Sequence, residues 1–355
     1  MKWKLFLAGL IAGLLLCVQT RLSIIEAALP ADAPKDIKHI LGFYYGNGEN
    51  ILIRENGGRL ELLYRFANSD KSFAGANIYP LTKEHFDSYI LKETGPMSNT
   101  EAGVHFERDQ DGYGIACRVG GHTYSRYFLG QGVGERAQEF RFPPQTEEAW
   151  AGMRLIATQA MMPSSLSVGE QVNLVDVEQI PGIIIDSRYA TTKNCFGTPL
   201  YTSQKLYIGE QAAIALGKVQ QMLSTYGYGL VLWDAYRPWS ISKLAHLALP
   251  EKQKGMLEDP ETKGSAHNTG NAVDVSLYNL ETGLEEEMIS GFDEPTFRQF
   301  TSYPGGTSRQ RYLRDLLRQI MELNGFTGIE MEWWHYDYMP SNNWAHLNIQ
   351  LESLQ

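Results

Sequence analysis

Two short segments of the sequence contain side chains that could bind a metal ion and move a proton: SAHNTGNAVD and EMEWWH. They supply His267, Asp274 and His335, which are the neutral and anionic ligand types of a catalytic zinc. Such a zinc takes three protein ligands and keeps a fourth position open. Glu332 lies three residues before His335, and a carboxylate beside a metal site can take a proton from water and pass it to a leaving amine. The combination indicates a hydrolytic site with one zinc ion.

These residues need a turn and a strand to bring them together. Gly270 allows the chain to turn between His267 and Asp274, so that both side chains could reach one ion. Residues 272–277 predict a strand whose valines and leucine face the core, which directs Asp274 and Ser276 to the opposite face. On a regular strand, a Glu and a His three residues apart would face opposite sides. We therefore expect a strand end or a bend in the second segment.

Each of these residues, taken alone, has an ordinary structural alternative. A histidine near a glycine-rich turn is usually a surface or core residue, and an aspartate after an apolar pair is usually a cap or a turn residue. A Glu-x-x-His quartet often occurs by chance, and the paired tryptophans could simply pack in the core. The commonest zinc-protease motif, His-Glu-x-x-His, does not occur. No role is assigned to the other histidines, of which the last is the best substitute ligand: His39, His85, His105, His122, His246 and His346.

The second half of the chain, residues 165–355, predicts an α+β domain. Apolar residues at helical spacing indicate helices at about 210–226 and 309–324, and Gly325 ends the second. Strand-like runs lie at 229–233, 272–277 and 346–349. Helices and strands mixed in one segment are typical of this fold class.

The first half predicts a small antiparallel all-β domain at residues 38–130. Asn56-Gly57 separates two β-rich runs, a strong hairpin signal because both turn residues tolerate positive φ. Further turns are expected at Asp111-Gly112 and Gly120-Gly121, and this rhythm favours a sheet or barrel. It resembles the lipocalin-like modules appended to some secreted hydrolases. Pro143, Pro144 and an acidic stretch mark a connector at 131–164.

Composition excludes several classes of protein. The 355 residues contain 31 Lys and Arg against 41 Asp and Glu, and the resulting charge of −10 argues against non-specific nucleic-acid binding. Three cysteines without a Cys-x-x-Cys pair cannot form a disulfide scaffold or a thiolate zinc finger. Cys117 and Cys195 fall in different predicted domains, so we expect no bridge between them.

Residues 1–29 predict a signal peptide or an N-terminal anchor. Lys2 and Lys4 precede the apolar run LFLAGLIAGLLLCV. This run is shorter than the roughly 20 residues of a membrane-spanning helix and fits the core of an export signal. Cys17 inside the run offers lipidation as an alternative. The body of the protein is therefore expected in the periplasm or cell envelope.

Four segments, in the same order, resemble the zinc D,D-peptidases that include the VanX-type D-alanyl-D-alanine dipeptidases. The resemblance covers roughly residues 170–350. The matching words are DSRYAT with NCFG at 186–197, LWDAYRP at 232–238, SAHNTGNAVD at 265–274 and EWWHY at 332–336. Several matched segments in the same order identify the family more specifically than any one segment alone.

The resemblance implies a role for each of eight residues and one zinc ion per chain. The ligands would be His267, Asp274 and His335, the general base Glu332, the oxyanion stabiliser Arg237, and the substrate contacts Tyr189, Ser265 and Asp293. Arg237 has a salt bridge with Asp234 as its structural alternative. Asp293, which would hold the free amino group of the substrate, has an exposed loop position as its alternative.

The implied activity is hydrolysis of D-alanyl-D-alanine to two D-alanines in cell-wall peptide turnover or salvage. One alternative is a D,D- or L,D-carboxypeptidase acting on longer peptidoglycan peptides, and another is a non-catalytic wall-binding protein on a peptidase fold. VanX-type enzymes lack the export signal and the β domain. The resemblance therefore leaves open whether the β domain contacts the cell wall or a partner, or shields the site.

Overall fold

The computed structural model describes residues 28–64, 76–95, 98–127, 140–341 and 343–354. The predicted signal or anchor at 1–29 lies almost wholly outside these residues. Within the described part of the chain, no helix is both long enough and apolar enough to cross a membrane.

The N-terminal half forms a closed barrel of eight strands after a short helix, α1 (Lys35–Lys38). Each strand pairs antiparallel with the next, and β8 closes the barrel on β1 through Tyr44 and Arg126. The strands are β1 Gly42–Gly46, β2 Glu49–Asn56, β3 Arg59–Tyr64, β4 Asn77–His85, β5 Ser88–Gly95, β6 Ser98–Arg108, β7 Gly114–Val119 and β8 His122–Arg126. The predicted β domain and its Asn56-Gly57 hairpin are therefore present, with two strands, β4 and β5, that the sequence did not indicate.

The barrel's side chains alternate between two cores. Ile51 and Ile53 of β2 point into the barrel with Leu62 of β3. Leu52 and Leu63, of the same two strands, belong instead to the core of the C-terminal half. Successive side chains of a strand point to opposite faces, so these two strands are buried on both.

The C-terminal half is built around a five-stranded sheet in the order β10-β12-β13-β15-β14. Only β10 and β12 run parallel. The strands are β10 Ile184–Ile185, β12 Tyr228–Asp234, β13 Ala272–Asn279, β14 Phe326–Gly328 and β15 His335–Tyr338, and a separate pair is formed by β9 Leu174–Asp176 and β11 Tyr207–Gly209. The helices are α2 Glu147–Gln159, α3 Glu210–Ser224, α4 Trp239–Ala248 and α5 Ser308–Leu323.

Both predicted helices are present, and their ends have local causes. On α3, Leu216, Val219 and Leu223 are fully buried at the predicted spacing. The Thr307 side chain accepts a hydrogen bond from the Gln310 amide at the start of α5, which satisfies a backbone donor that the helix leaves unpaired.

The predicted strand at 346–349 is wrong. This segment is irregular, because its polar groups bond to helix and turn positions rather than to a neighbouring strand. The Trp239 amide donates to the Leu347 carbonyl, the Leu347 amide donates to the Asn268 carbonyl, and the Ile349 amide donates to the Tyr236 hydroxyl.

Candidate metal centre and active site

Strand register places three of the polar side chains in one row across the sheet. Asp274 of β13 lies opposite Asp234 of β12 on one side and opposite His335 of β15 on the other. His335 is the first residue of β15, so Glu332 precedes the strand, and the His335 amide contacts the Glu332 carbonyl across a turn at 3.3 Å. The expected strand end in this segment is confirmed.

A tight turn brings His267 to the same row. His267 lies in a single 3-10 turn, Ala266–Thr269, which ends at Gly270 with φ of 77°. A Cβ at Gly270 would lie 2.7 Å from Leu174 Cδ2 and 2.9 Å from Val172 Cγ2, so both conformation and space disfavour a side chain. The predicted role of Gly270 as the turn between His267 and Asp274 therefore agrees with the structure.

His267, Asp274 and His335 form the buried three-residue cluster, with their ligand atoms within 4.8 Å of one another. His267 Nε2 lies 3.1 Å from His335 Nδ1 and 3.3 Å from Asp274 Oδ2, and His335 Nδ1 lies 3.1 Å from Asp274 Oδ1. Two ligands bound at roughly 2.0–2.1 Å to a tetrahedral zinc lie about 3.3 Å apart. The three atoms therefore have the spacing and the chemistry of a zinc ligand set.

The outer nitrogen of each imidazole has a partner that fixes the ring. His267 Nδ1 lies 2.7 Å from the Ala235 carbonyl oxygen, and His335 Nε2 lies 3.0 Å from Asp337 Oδ1. A hydrogen on each of these outer nitrogens would leave the inner nitrogen with a lone pair toward the centre, which is the tautomer that a metal requires. Sequence reasoning missed Asp337, although its position two residues after His335 on a strand places both on one face.

Glu332 stands beside the cluster without belonging to it. Its Oε2 lies 4.0 Å from His335 Nδ1, and the side chain is 28% exposed. Burial raises the pKa of Glu332 above its ordinary value. A carboxylate in this position can accept a proton from water and remains outside the ligand set.

Arg237 has both the salt bridge and the site position that the sequence left as alternatives. Its Nε and Nη2 donate to Asp234 Oδ2 at 2.9 and 2.7 Å, and Tyr201 donates to the other oxygen of Asp234. The guanidinium lies over the Tyr189 ring at 4.8 Å and 3.9 Å from Asp274 Oδ2. The salt bridge therefore fixes the guanidinium beside the metal centre, where its remaining donors can meet a developing negative charge.

Asp293 lies in the site, so the alternative of an exposed loop residue is not what the structure shows. Its Oδ2 accepts a hydrogen bond from the Tyr189 hydroxyl at 2.9 Å and lies 3.5 Å from Cys195 Sγ. Burial raises the pKa of Asp293 to about 7, against the hydrogen bond from Tyr189, which lowers it. Cys195 was not predicted to contact the site, while Cys195 and Cys117 are separate buried thiols as expected.

One cavity of about 540 Å³ adjoins the cluster and the side chains around it. Its walls include the eight residues that the sequence singled out: Tyr189, Arg237, Ser265, His267, Asp274, Asp293, Glu332 and His335. Ser265 is half-buried at the start of the His267 turn, where its amide donates to Asn268 Oδ1. His346, the substitute ligand, also lines the cavity, but it does not belong to the cluster of three.

Comparison with known proteins places this site in a family. The profile described as "D-ala-D-ala dipeptidase" matches residues 170–350. A D-alanyl-D-alanine dipeptidase of Enterococcus faecalis is 34% identical over 177 residues, which are 45% of this chain and 87% of that protein. One of Escherichia coli is 33% identical over 171 residues, or 48% of this chain and 86% of that protein.

The family match covers the five-stranded sheet, helices α3, α4 and α5 and every residue of the site, and leaves the barrel and α2 outside. A D-alanyl-D-alanine dipeptidase of Enterococcus faecium is 31% identical over 176 residues, which are 45% of this chain and 87% of that protein. Through residues 170–350, this chain belongs to the D-ala-D-ala dipeptidase family.

Proposed function

We propose that this protein is a zinc-dependent dipeptidase that hydrolyses D-alanyl-D-alanine to two D-alanines. The names of its relatives support this substrate. The observation that carries the proposal is the position of Asp293, whose carboxylate lies in the same cavity as the metal cluster and Glu332. A dipeptidase needs a group that binds the free amino terminus of its substrate, and a carboxylate at the wall of the cavity is such a group.

Recognition of the substrate would depend on Asp293 and its neighbours. The ionised carboxylate would pair with the ammonium group of the dipeptide, and Tyr189 holds the carboxylate in place through its hydroxyl. Ser265 lines the same cavity and can offer a hydroxyl to the peptide. An extended or blocked amino terminus would lose the ion pair and would place a neutral group against the Asp293 carboxylate.

The metal would be held by His267, Asp274 and His335, whose spacing fits zinc. When bound, zinc supplies Lewis-acid polarisation of the scissile carbonyl and makes water more acidic. Asp337 and the Ala235 carbonyl keep both imidazoles in the required tautomer.

Three steps would fall to the protein's own side chains. Glu332 would accept the proton of the attacking water and pass it to the nitrogen of the leaving D-alanine. Arg237 would donate hydrogen bonds to the oxygen of the former carbonyl as that oxygen gains negative charge. Asp293 would keep the other D-alanine in place while the peptide bond breaks.

We also propose the finer classification of both halves. The eight-stranded up-and-down topology supports a lipocalin-like barrel, and the mixed sheet with its helices supports an α+β zinc peptidase domain.

We further propose that the protein works in the periplasm or cell envelope. The apolar run after Lys2 and Lys4 supports export, and the uncut segment could serve as a membrane anchor. In that compartment the enzyme would recover dipeptides from wall turnover, and the barrel could contact wall material. Cell fractionation with N-terminal sequencing of the exported chain tests the location and the cleavage together, and a chain recovered only from the cytoplasm would contradict it.

The activity is tested by measuring D-alanine release from D-Ala-D-Ala with and without a zinc chelator. We expect release that the chelator abolishes and added zinc restores. N-acetyl-D-Ala-D-Ala and a wall pentapeptide are the comparison substrates. Preference for either of these over the free dipeptide would instead favour the carboxypeptidase alternative, and no release from a folded, zinc-loaded protein would reject the proposal.

A further inference from the structure

The segment from Glu285 to Gly306, here called the strap, carries Asp293 and lies between the barrel and the active site. It connects β13 to α5 and contains one short 3-10 turn, Phe297–Gln299, so it has little secondary structure of its own to hold it in shape. Hydrogen bonds within the strap hold it locally, such as those from the Gly291 amide to Glu294 Oε2 at 3.0 Å and from Arg298 Nε to the Ile289 carbonyl at 2.9 Å. Its position relative to the rest of the molecule comes from the elements on either side.

On the side of the active site, the strap supports the segment that carries Glu332. The Trp333 indole donates to Ser290 Oγ at 2.7 Å, and the Trp333 amide donates to the Gln299 carbonyl at 2.9 Å. The Thr301 amide donates to the Glu330 carbonyl at 3.0 Å. The strap and the Glu332 segment are thus hydrogen-bonded to each other both before Asp293, at Ser290, and after it, at Gln299 and Thr301.

On the opposite side, the barrel half holds the strap near both ends. Lys38 of α1 pairs with Glu287 at 2.8 Å, and the Glu55 amide of β2 donates to the Gly306 carbonyl at 3.1 Å. Between these points, the Phe43 ring of β1 lies 6.2 Å from the Phe297 ring. The contacts are an ion pair, a backbone hydrogen bond and an aromatic contact, and together they span the strap.

Glu55 is a buried charged group between the barrel and the C-terminal half, with 4% of its surface exposed. Its Oε2 accepts a hydrogen bond from the Ser308 amide at 2.7 Å, at the first residue of α5. Its Oε1 accepts one from the Gly58 amide at 2.5 Å, within the β2–β3 hairpin. A second donor on α5, Arg311, bonds to the Glu55 carbonyl at 2.9 Å. The Glu55 carboxylate therefore joins the β2–β3 hairpin of the barrel to α5, the helix that follows the strap.

The backbone of Asp293 depends on such support. Its φ is 55°, in the left-handed region that residues other than glycine rarely adopt. A residue persists there only when its surroundings over-determine its conformation. The hydrogen bond from the Gly291 amide to Glu294 spans Asp293 and supplies part of that constraint. The strap's anchors on the barrel and on Trp333 supply the rest, because they fix the chain before and after this turn.

We propose that the barrel is a positioning element for substrate recognition: it clamps the strap and thereby fixes the Asp293 carboxylate where the substrate's amino group binds. Glu55 and Lys38 are positioning residues, since they act through the strap and touch no substrate. The inference rests on the proposed dipeptidase function for the identity of the bound group. It gives the barrel a role in the reaction that residues 170–350, the part shared with the relatives, do not include.

The test uses the full zinc-loaded chain and two changes at opposite ends of the strap, Glu55→Ala and Lys38→Gln. Glu84→Ala, exposed on β4, is the matched control. We expect each docking change to raise the KM for D-Ala-D-Ala by about fivefold, the lower range of coupling between sites, with kcat within twofold. Activity on N-acetyl-D-Ala-D-Ala should stay unchanged because it does not use the ion pair. Glu55→Gln, which keeps one acceptor oxygen for the Ser308 amide, should restore part of the loss.

Hydrogen exchange of the strap amides provides a readout that does not need activity. We expect faster exchange at residues 285–306 in both docking variants and no change in the control. Unchanged KM, or unchanged strap exchange in a folded Lys38→Gln protein, would overturn the proposal. A wild-type chain that releases no D-alanine would reject the dipeptidase function, while the exchange measurement would still decide whether the barrel holds the strap.

Discussion

At the scale of single residues, Glu332 is distinguished from the ligands by one geometric fact: it stands 4.0 Å from His335 Nδ1 and outside the cluster. We expect Glu332→Gln to lower kcat by about 10²–10⁴-fold, because the proton acceptor is lost while the ligand set is intact. Steady-state kinetics with zinc content measured on the same sample tests this. Glu330→Gln is the control, since the Glu330 carboxylate bonds to Ser302 and Thr301 rather than facing the cavity.

A fully active Glu332→Gln protein with bound zinc would contradict the assignment of the base. A variant that loses both activity and zinc would instead show that Glu332 supports the metal.

Asp337 should control how tightly zinc is held. Its carboxylate orients His335 through the outer nitrogen at 3.0 Å. Removal of such a partner typically weakens metal binding by about 10–100-fold. We expect Asp337→Ala to show this loss in a competition titration with a chromogenic chelator, and Asp337→Asn, which keeps an acceptor oxygen, to lie between it and the wild type. Equal affinity in all three proteins would remove Asp337 from the account of the site.

The pH dependence of substrate capture should report the ionisation of Asp293. Its pKa is raised to about 7 by burial, so the carboxyl group is neutral below that pH and charged above it. Under the proposed function, only the charged form would pair with the substrate's ammonium group. We therefore expect kcat/KM for D-Ala-D-Ala to rise as the pH increases from 6 to 8.

The matched variant is Asp293→Asn, which keeps the shape and removes the charge. It should lack this rise and have a KM higher by about 10–100-fold, the usual range for a lost hydrogen bond to a charged group. A pH profile of the same form in both proteins would assign the ionisation to another group.

At the scale of elements, the turn at Gly270 shows how local conformation positions the ligands. Gly270 and Gly283 both have positive φ, 77° and 69°, but only Gly270 is crowded. We expect Gly283→Ala to cost about 1 kcal/mol of unfolding free energy, from the left-handed conformation alone. Gly270→Ala should cost about 1–3 kcal/mol more, because its Cβ meets Leu174 and Val172.

Urea unfolding of both variants measures the difference, and zinc titration shows whether His267 moves. Equal losses of stability in the two variants would mean that Leu174 and Val172 move aside without a loss of unfolding free energy.

The elements that the sequence predicted are those with a local signal. Helices α3 and α5 have apolar residues at helical spacing, and the Asn56-Gly57 turn joins β2 to β3. Strand β4 was missed because most of its described side chains are exposed, which leaves no apolar alternation, and because it contains Pro80. The irregular segment at 346–349 has the opposite property: its apolar residues suggest a strand, but its hydrogen-bond partners come from distant turns that only the fold reveals.

The site residues also divide into those with a local signal in the sequence and those without one. That His267, Asp274 and His335 lie together, with Glu332 beside them, could be predicted because they stand in two short motifs of the sequence. The contact of Asp293 with Tyr189 and Cys195 could not, because it joins segments about a hundred residues apart. Asp337 lies between these cases: its two-residue spacing from His335 is visible in the sequence, but no role was predicted from it.

At the scale of the whole molecule, the barrel has its own core and also contributes side chains to the core of the peptidase half. Leu52 and Leu63 are exposed by 0% and 2% and pack with the peptidase half, while their neighbours in sequence fill the barrel. The uninterrupted apolar run at 51–53 was a sign of a strand buried on both faces. Interfaces between domains of one chain are usually more polar and permit relative motion. Here the barrel is fixed to the peptidase half by buried leucines as well as by Glu55.

This packing predicts how the full chain unfolds. Separation of the halves would expose Leu52 and Leu63 and leave the Glu55 carboxylate without the Ser308 amide. Burial of one leucine side chain is worth about 1.5–3 kcal/mol, so neither half should melt without destabilising the other. We expect one calorimetric transition, with calorimetric and van't Hoff enthalpies that agree. Glu55→Ala should lower its midpoint or split it, and Glu84→Ala should leave it unchanged. Two separate transitions in the wild-type chain would show that the barrel is an independent module, and would weaken the case that it holds Asp293 in place.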